Sequence, residues 1–417
     1  MFPKIVHVVG GGTFYHVRSH LALAAPAFGT TAKRIAELCK AHSDKMDVVL
    51  HLTRMADPTG SKIETNDDLT RLAFNLVENL STKIVFWNPA VVDFEGQVGG
   101  IESGKYTRRL TTHEIYTPFS GDIHLSIAKK VINLFRRNGD KSRKDIFLVS
   151  FKATAGATSE EQYRAGLDML KRSSSNLVLA NDVVTKVNMI IVPEEARYHV
   201  TTDREEALNG LVEMAYLRSH LTFTRSTVVT GEPVPWESDL VPTTLRAVVD
   251  YCIERGAYKR FRGVTAGHFA VKIDDVTFLT SRRKTDFNDM KTFGLVKVKT
   301  DGPDSVIAYG SKPSVGGQSQ RIVFTDHPDA DCIVHFHCPI LPSSNVPVIS
   351  QREYECGSHE CGRNTSRGLK RFGNLSAVYL DQHGPNIVFA KSVDPQEVIR
   401  FIEENFDLEE KTGGLVS

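Results

Sequence analysis

Through the first half of the chain, short continuous apolar runs alternate with stretches whose apolar positions recur every three or four residues. The runs KIVHVVGGG, DVVLHL, KIVFWNP, DIFLVSF, NLVLAND and MIIVPE are short and bounded by turn residues, so they read as strands. Between them, TAKRIAELCKAH, DDLTRLAFNLVENL, SIAKKVINLFRR, SEEQYRAGLDMLKR and DREEALNGLVEMAYLRSH read as helices. Ser159 with Gln162, and Thr202 with Glu205, predict capping pairs at the starts of the last two. Apolar strands joined through amphipathic helices predict a parallel sheet covered on both faces.

Residues 226–242, STVVTGEPVPWESDLVP, break this alternation with three prolines and a glycine, which predicts a linker. After it, Leu245, Val248, Val249, Cys252 and Ile253 form one helical stripe. The short runs HFAVKI, VTFLT, GLVKVK, SVIAYG, DCIVHFH, LSAVYL and NIVFAK then predict a largely antiparallel sheet in an α/β domain. A closing helix is expected from Asp394 as cap, with Pro395 in its first turn and Glu397 behind. The pattern divides the chain into a domain over 1–225, the linker, a domain over 243–408 and a mobile tail over 409–417.

Composition adds exclusions. The 417 residues are too many for one ordinary core, consistent with two domains. Lys and Arg number 51 against 50 Asp and Glu, so no global field draws the chain to nucleic acid or to a membrane. No apolar run approaches the ~20 residues that cross a bilayer. The start runs directly into a strand pattern and lacks a signal-peptide layout. Six scattered cysteines are no disulfide framework, so a reducing cytoplasm is expected. Cys39 and Cys252 fall at apolar helix positions and read as core.

The chemistry concentrates late in the chain. In CIVHFHCPILP, His335 and His337 stand one residue apart, so a strand would project both rings from one face. That spacing alone suits a metal or two separately satisfied imidazoles. His383, in YLDQHGPN between two strand-like runs, supplies a third imidazole and favours the metal, with one position left open. Arg282, Arg283 and Lys284 form a basic turn that suits an anionic substrate or simply solvent. Cys356, His359 and Cys361 in ECGSHECG offer a second cluster, but without a fourth ligand or CxxC spacing free thiols are expected.

Residues 243–408 resemble the class II aldolase/adducin family through GVTAGHFAVKIDDVTFLTS, SKPSVGGQSQRIVFTDHPDADCIVHFHCP, CGSHE and DQHG. That resemblance implies an α/β fold and a zinc ion, or another divalent transition metal, held by His335, His337 and His383. It implies phosphate binding near Thr280, Ser281 and Ser314. The zinc of that family stabilises negative charge during carbon–carbon cleavage, epimerisation or dehydration. Aldolases of the family carry a glutamate acid/base after the Pro-Ser turn; here the position falls on Gly316 or Gly317, and Gln318 cannot transfer protons. His268 and Glu360 are the candidate replacements as catalytic residues.

Residues 4–225 resemble the phosphopantothenate–cysteine ligase family, a Rossmann-like nucleotide-binding fold. The resemblance is carried by Gly11, Gly12, Thr13, Val17 and Arg18, by Asp93 in NPAVVDF, and by Lys105 in GKYTRRL. Phe151, Lys152 and Ala153, and then Asn181, Asp182 and Asn188, continue it. It implies a site for CTP or ATP with Mg²⁺. Where that family has an asparagine handling the acyl intermediate, this chain has Ala22, which offers no hydrogen bond to an oxyanion.

Together these readings predict a metal-dependent lyase or isomerase acting on a small anionic hydroxy-carbonyl compound, phosphorylated or nucleotide-linked. A nucleotide-dependent carboxylate–amine ligase and a non-catalytic binding or assembly protein are the alternatives. Both resembled families form oligomers, which implies a homo-oligomer.

Overall fold

The apolar runs of the first half become strands of one seven-stranded sheet, with the periodic segments as helices. These are β1 (Ile5–Gly12), β2 (Asp47–Leu52), β3 (Thr82–Ala90), β4 (Phe147–Thr154), β5 (Leu177–Asp182), β6 (Asn188–Ile191) and β7 (Arg197–Thr201). The helices are α1 (Thr30–His42), α2 (Asn66–Glu78), α3 (Ser159–Ser173) and α4 (Arg204–Ser219). The computed structural model describes residues 4–18, 21–42, 45–96, 123–125, 132–137 and 143–412. Of the expected helix SIAKKVINLFRR, 126–131 lie outside the described residues, and Leu134–Arg137 is helical.

The strand order is β7-β6-β5-β4-β3-β1-β2. From β2 to β5 every pairing is parallel, and β6 runs antiparallel to β5. The order of the parallel strands, 2-1-3-4-5, is a doubly wound arrangement that reverses direction at β1. Val9, Val85, Trp87 and Leu148 pack on one side of the sheet with Leu69, Ala73 and Leu76 of α2.

Helix starts differ from expectation by one residue. On α3 the capping box is Thr158 with Glu161, whereas Gln162 turns inward and donates its Nε2–H to Val187 O at 2.9 Å. On α4 the cap is Asp203, whose Oδ1 accepts from Glu205 N at 2.8 Å and Glu206 N at 3.2 Å; Glu205 itself pairs with Arg34.

The second sheet has ten strands. They are β8 (Arg225–Val229), β9 (His268–Lys272), β10 (Thr277–Thr280), β11 (Val296–Thr300), β12 (Ser305–Tyr309), β13 (Cys332–His335), β14 (Val348–Ile349), β15 (Lys370–Phe372), β16 (Leu375–Leu380) and β17 (Gly384–Phe389). Their order is β8-β12-β11-β10-β9-β13-β17-β16-β14, with β15 also pairing β16. Pairing is antiparallel except where β8 joins β12 and β14 joins β16. One face packs on α5 (Thr243–Glu254) and α8 (Pro395–Asn405) through Phe269, Val334, Ile387 and Phe389. The other carries Ala270, Phe278, Val298 and Ile333 against Val323 and Phe324 of α6 (Val315–Asp326). α7 (His359–Gly368) completes the labelled elements.

The stretch 226–242 is not a free linker. Its first residues form edge strand β8, where a parallel partner is needed on one side only. Trp236 is fully buried and donates to Asp250 Oδ1 at 2.9 Å. Prolines suit such a segment because its remaining backbone makes few ladder bonds. By its contacts the chain forms two compact units, Met1–Ile191 with His199–Ser219, and Val192–Tyr198 with His220–Ser417. Of the expected mobile tail, Lys411 and Thr412 are buried, while 413–417 lie outside the described residues.

Candidate metal centre

His335 is the last residue of β13, and His337 follows two positions on, with Phe336 turned the other way against Phe406. His383 sits in the turn joining β16 to β17 and donates its backbone N–H to Leu380 O at 2.9 Å. The next residue explains the close approach. Gly384 has φ +148°, and a Cβ there would lie 2.1 Å from Phe336 O, so only glycine lets this turn rest on the His335–His337 segment.

The three rings converge. Centroids of His335 and His337 are 5.0 Å apart, His335 and His383 4.6 Å, and His337 and His383 4.5 Å. One ligand nitrogen from each lies within 4.8 Å of the others, the only such group of three or more His, Cys, Asp or Glu among the described residues. All are buried, with exposures of 1%, 7% and 2% for His335, His337 and His383.

The His335 Nδ1–H donates to Pro385 O at 2.6 Å, which fixes the ring and leaves Nε2 as the lone-pair nitrogen. That Nε2 is buried and has no hydrogen-bond partner among the described residues. Burial first, and then nearby His383, hold the His335 imidazole well below its ordinary value, so it is neutral near pH 7. A neutral, oriented, unsatisfied imidazole with two others beside it fits a divalent cation that favours nitrogen ligands.

His268, the first residue of β9, faces His335 across the antiparallel pairing, with ring centroids 4.8 Å apart. Its Nδ1 meets the side-chain Nε2 of Gln320 on α6, and Gln320 Oε1 accepts from the Thr280 hydroxyl at 3.0 Å. The sequence reading missed Gln320. Its signal was a polar residue three and four positions before Val323 and Phe324, on the buried stripe of α6.

Glu360 does not join this group. It lies in the first turn of α7, where Oε2 accepts from Thr222 N at 3.0 Å. That bond ties the 222–224 segment to the helix. His359 is likewise engaged elsewhere, 2.7 Å from Thr224 Oγ1, and forms no cluster with Cys356 and Cys361.

Of the expected phosphate residues, Thr280 is committed to Gln320 and to Phe269 O. Ser281 and Ser314 meet at the start of α6, where Ser314 N donates to Ser281 O at 2.9 Å. Ser281 Oγ is fully buried with no partner among the described residues, and Ser314, the N-cap, makes no side-chain cap bond. Gly316 and Gly317 fall in the first turn of that helix. A cavity of about 190 Å³ on this unit is lined by Lys272, Asp274, Thr300 and Arg321, and none of the site histidines lines it.

In the first unit, the expected nucleotide residues collect at the carboxyl ends of the parallel strands, the edge where open α/β sheets take ligands. Gly11 and Gly12 end β1, Phe151 and Lys152 lie in β4, and Asn181 and Asp182 end β5. Asp93 is exposed beyond β3. Gly11 has φ +106°, and a Cβ there would lie 2.1 Å from Thr53 Oγ1. The Thr13 hydroxyl donates to Asn66 Oδ1 at 2.7 Å and accepts from Val92 N at 2.9 Å, an internal brace.

Asp182 is also internal. Its carboxylate accepts from Thr154 Oγ1, Gly156 N, Ala157 N, Val184 N and Thr185 N at 2.8–3.0 Å. Burial alone would raise this carboxyl, but those donors outweigh it and hold it well below the usual range. It braces two turns and has little capacity left for a cofactor. The side chain of Arg18, and Lys105 altogether, lie outside the described residues.

Residues 247–343 match the family model of the Class II Aldolase and Adducin N-terminal domain. Among solved structures, the chain is similar to the DNA/pantothenate metabolism flavoprotein from Streptococcus pneumoniae, at 19% identity and TM-score 0.39, covering 50% of this chain and 97% of that one. It is also similar to Escherichia coli YgbL, described as a candidate aldolase/epimerase/decarboxylase, at 20% identity and TM-score 0.29, covering 39% and 83%. An L-fuculose 1-phosphate aldolase matches at 18% identity and TM-score 0.30, covering 38% and 81%. No curated protein matches the chain.

Proposed function

We propose that the second unit is a metal-dependent lyase or isomerase of class II aldolase type, acting on a small anionic hydroxy-carbonyl compound. The observation that carries the reading is the convergence of His335, His337 and His383, buried, with His335 Nε2 unsatisfied. These three would hold zinc or a similar ion, which when bound acts as a Lewis acid toward an oxygen developing negative charge.

The chain's own residues do the rest. Pro385 O orients His335 through Nδ1. Gln320, donating its amide N–H to His268 Nδ1, leaves the proton of a neutral His268 on Nε2, and burial keeps that ring neutral. His268 is therefore a hydrogen-bond donor at Nε2, suited to polarising a substrate oxygen rather than to transferring protons as a glutamate would. Ser281 Oγ, Ser314 Oγ and the first N–H groups of α6 form an anion subsite for a phosphate or carboxylate. In the first unit, Gly11, Gly12, Lys152 and Asn181 suit a nucleotide, CTP or ATP with Mg²⁺, at the carboxyl edge of the sheet. We assign the protein to the cytoplasm and to a homo-oligomer. No described helix is long and apolar enough to cross a membrane.

The test is aldehyde release from a panel of phosphorylated hydroxy-carbonyl compounds. Chelator should abolish turnover, and His268→Leu should slow it by about 10²–10³-fold, the usual worth of a donor that stabilises developing negative charge. Nucleotide-dependent pyrophosphate release indifferent to chelator would instead support the carboxylate–amine ligase reading. Absence of both activities, with ligand binding intact in metal-free protein, would support a binding or assembly role.

A further inference from the structure

Away from the histidines, two of the six cysteines meet. Cys356 and Cys361 are both free thiols, separated by a turn in which Gly357 has φ +87°. Ser358 caps α7, its Oγ accepting from Cys361 N at 3.0 Å. Cys361 therefore lies in the first helical turn, where the backbone field favours a thiolate. Its sulfur lies against the Cys356 side chain and accepts a hydrogen bond from Gln351 Nε2 at 3.3 Å. The Cys356 contact, aided by Gln351, holds Cys361 below its ordinary value despite burial, and Cys356 is raised in turn. Glu194 Oε1 accepts from Cys356 N at 2.6 Å and fixes the backbone on that side.

The other four cysteines lack this arrangement. Cys39, Cys252, Cys332 and Cys338 are fully buried, and burial pushes each thiol up, to about 12 for Cys39 and Cys338. Cys361 is nearly buried at 3% exposure, and Cys356 beside it is half-buried.

We propose that Cys356 and Cys361 form a redox-active dithiol whose oxidants are small hydroperoxides. The Cys361 thiolate attacks the peroxide oxygen, the O–O bond breaks, and a sulfenic acid forms as water or an alcohol leaves. The Cys356 sulfur then attacks the Cys361 sulfur, forming the S–S bond and releasing water. Two thiols lose two electrons and two protons, and the peroxide gains them. A small dithiol reverses the change by exchange. This site is independent of the metal reading.

The experiment uses the full chain treated with hydrogen peroxide, quenched by denaturing alkylation and digested with trypsin. Cleavage after Arg352 and Arg363 leaves both cysteines in one peptide, EYECGSHECGR. That peptide should escape alkylation, lose the mass of two hydrogens, and recover both thiols with dithiothreitol. Its oxidation should outpace that of Cys39 and Cys252 by at least about tenfold, as thiolate character dictates. In Cys356→Ser, Cys361 should stop at a dimedone-reactive sulfenic acid; in Cys361→Ser, Cys356 should oxidise no faster than the buried cysteines. A wild-type peptide that keeps both thiols, or gains oxygen without losing two hydrogens, overturns the proposal even if neither variant folds.

Discussion

Replacing Lys411 by methionine removes one half of an ion pair sealed inside the second unit. Lys411 Nζ pairs with Glu195 Oε2, their side chains 1% and 6% exposed. The next residue, Thr412, donates its N–H to His337 O at 3.1 Å, so the pair anchors the segment lying against a candidate metal ligand. Removing one partner breaks a buried ion pair, which costs about 3–5 kcal/mol. Glu195 also holds φ +65°, a left-handed conformation costing a residue with a Cβ about 1–2 kcal/mol. Lys411→Met should therefore destabilise by about 3–5 kcal/mol. Glu195→Gly loses the pair but relieves the backbone, so it should cost about 1–4 kcal/mol. The double variant strands no charge and should fall within about 1 kcal/mol of the parent. The chain has two tryptophans, Trp87 in the first unit and Trp236 in the second. Urea unfolding followed by fluorescence in a Trp87→Phe background thus reports the second unit alone. At roughly 2–4 °C per kcal/mol for a unit of this size, Lys411→Met should lower its melting temperature by about 6–20 °C. Single variants costing less than about 1 kcal/mol, or a double variant equal to their sum, would refute the reasoning.

Gly384→Ala forces a Cβ to within 2.1 Å of Phe336 O at φ +148°, so it should push His383 off the cluster and weaken metal retention in equilibrium dialysis. Gln320→Leu strands His268 Nδ1, leaving the Thr280 hydroxyl on Phe269 O alone, and should cost about 1–3 kcal/mol by urea unfolding. Burial lowers the folded-state values of His268 and His335, so below about pH 6.5 the unfolded chain takes up protons that the folded chain refuses. Metal-free protein should therefore lose stability in the second unit as pH falls from about 6.5, and unfolding curves flat from pH 8 to pH 5 would contradict this. Asp182 has a depressed value, so its contribution is full above about pH 4 and fades as pH falls further. Asp182→Asn should remove that acid-labile part from the first unit's pH–stability profile.

The sheets were legible because their strands are short apolar runs with distinct spacing. The histidines were legible for the same reason: a two-residue offset in a strand-like run, and a third ring at a turn, are local facts. What the sequence hid was pairing at a distance. Thr158 and Ser159 are both good caps, each with an acceptor three residues on, and only the inward bond of Gln162 to Val187 selects between them. Prolines in 226–242 suggested a linker, but they also suit a segment flanking an edge strand, and Trp236 found its core partners from elsewhere in the chain. Glu360 was a carboxylate near the candidate motifs, but its place at a helix start gave it the Thr222 N–H to satisfy. The ion pair of Glu195 with Lys411 spans 216 residues and leaves no local trace.

The central claim is a divalent cation at His335, His337 and His383. Elemental analysis of the purified protein, beside a variant with all three replaced by alanine, tests it most directly. About one zinc or similar ion per chain is expected in the parent, following the three-histidine donor set, and none in the variant. A parent that holds no ion after incubation with zinc and desalting, or a variant that binds equally, would contradict the account.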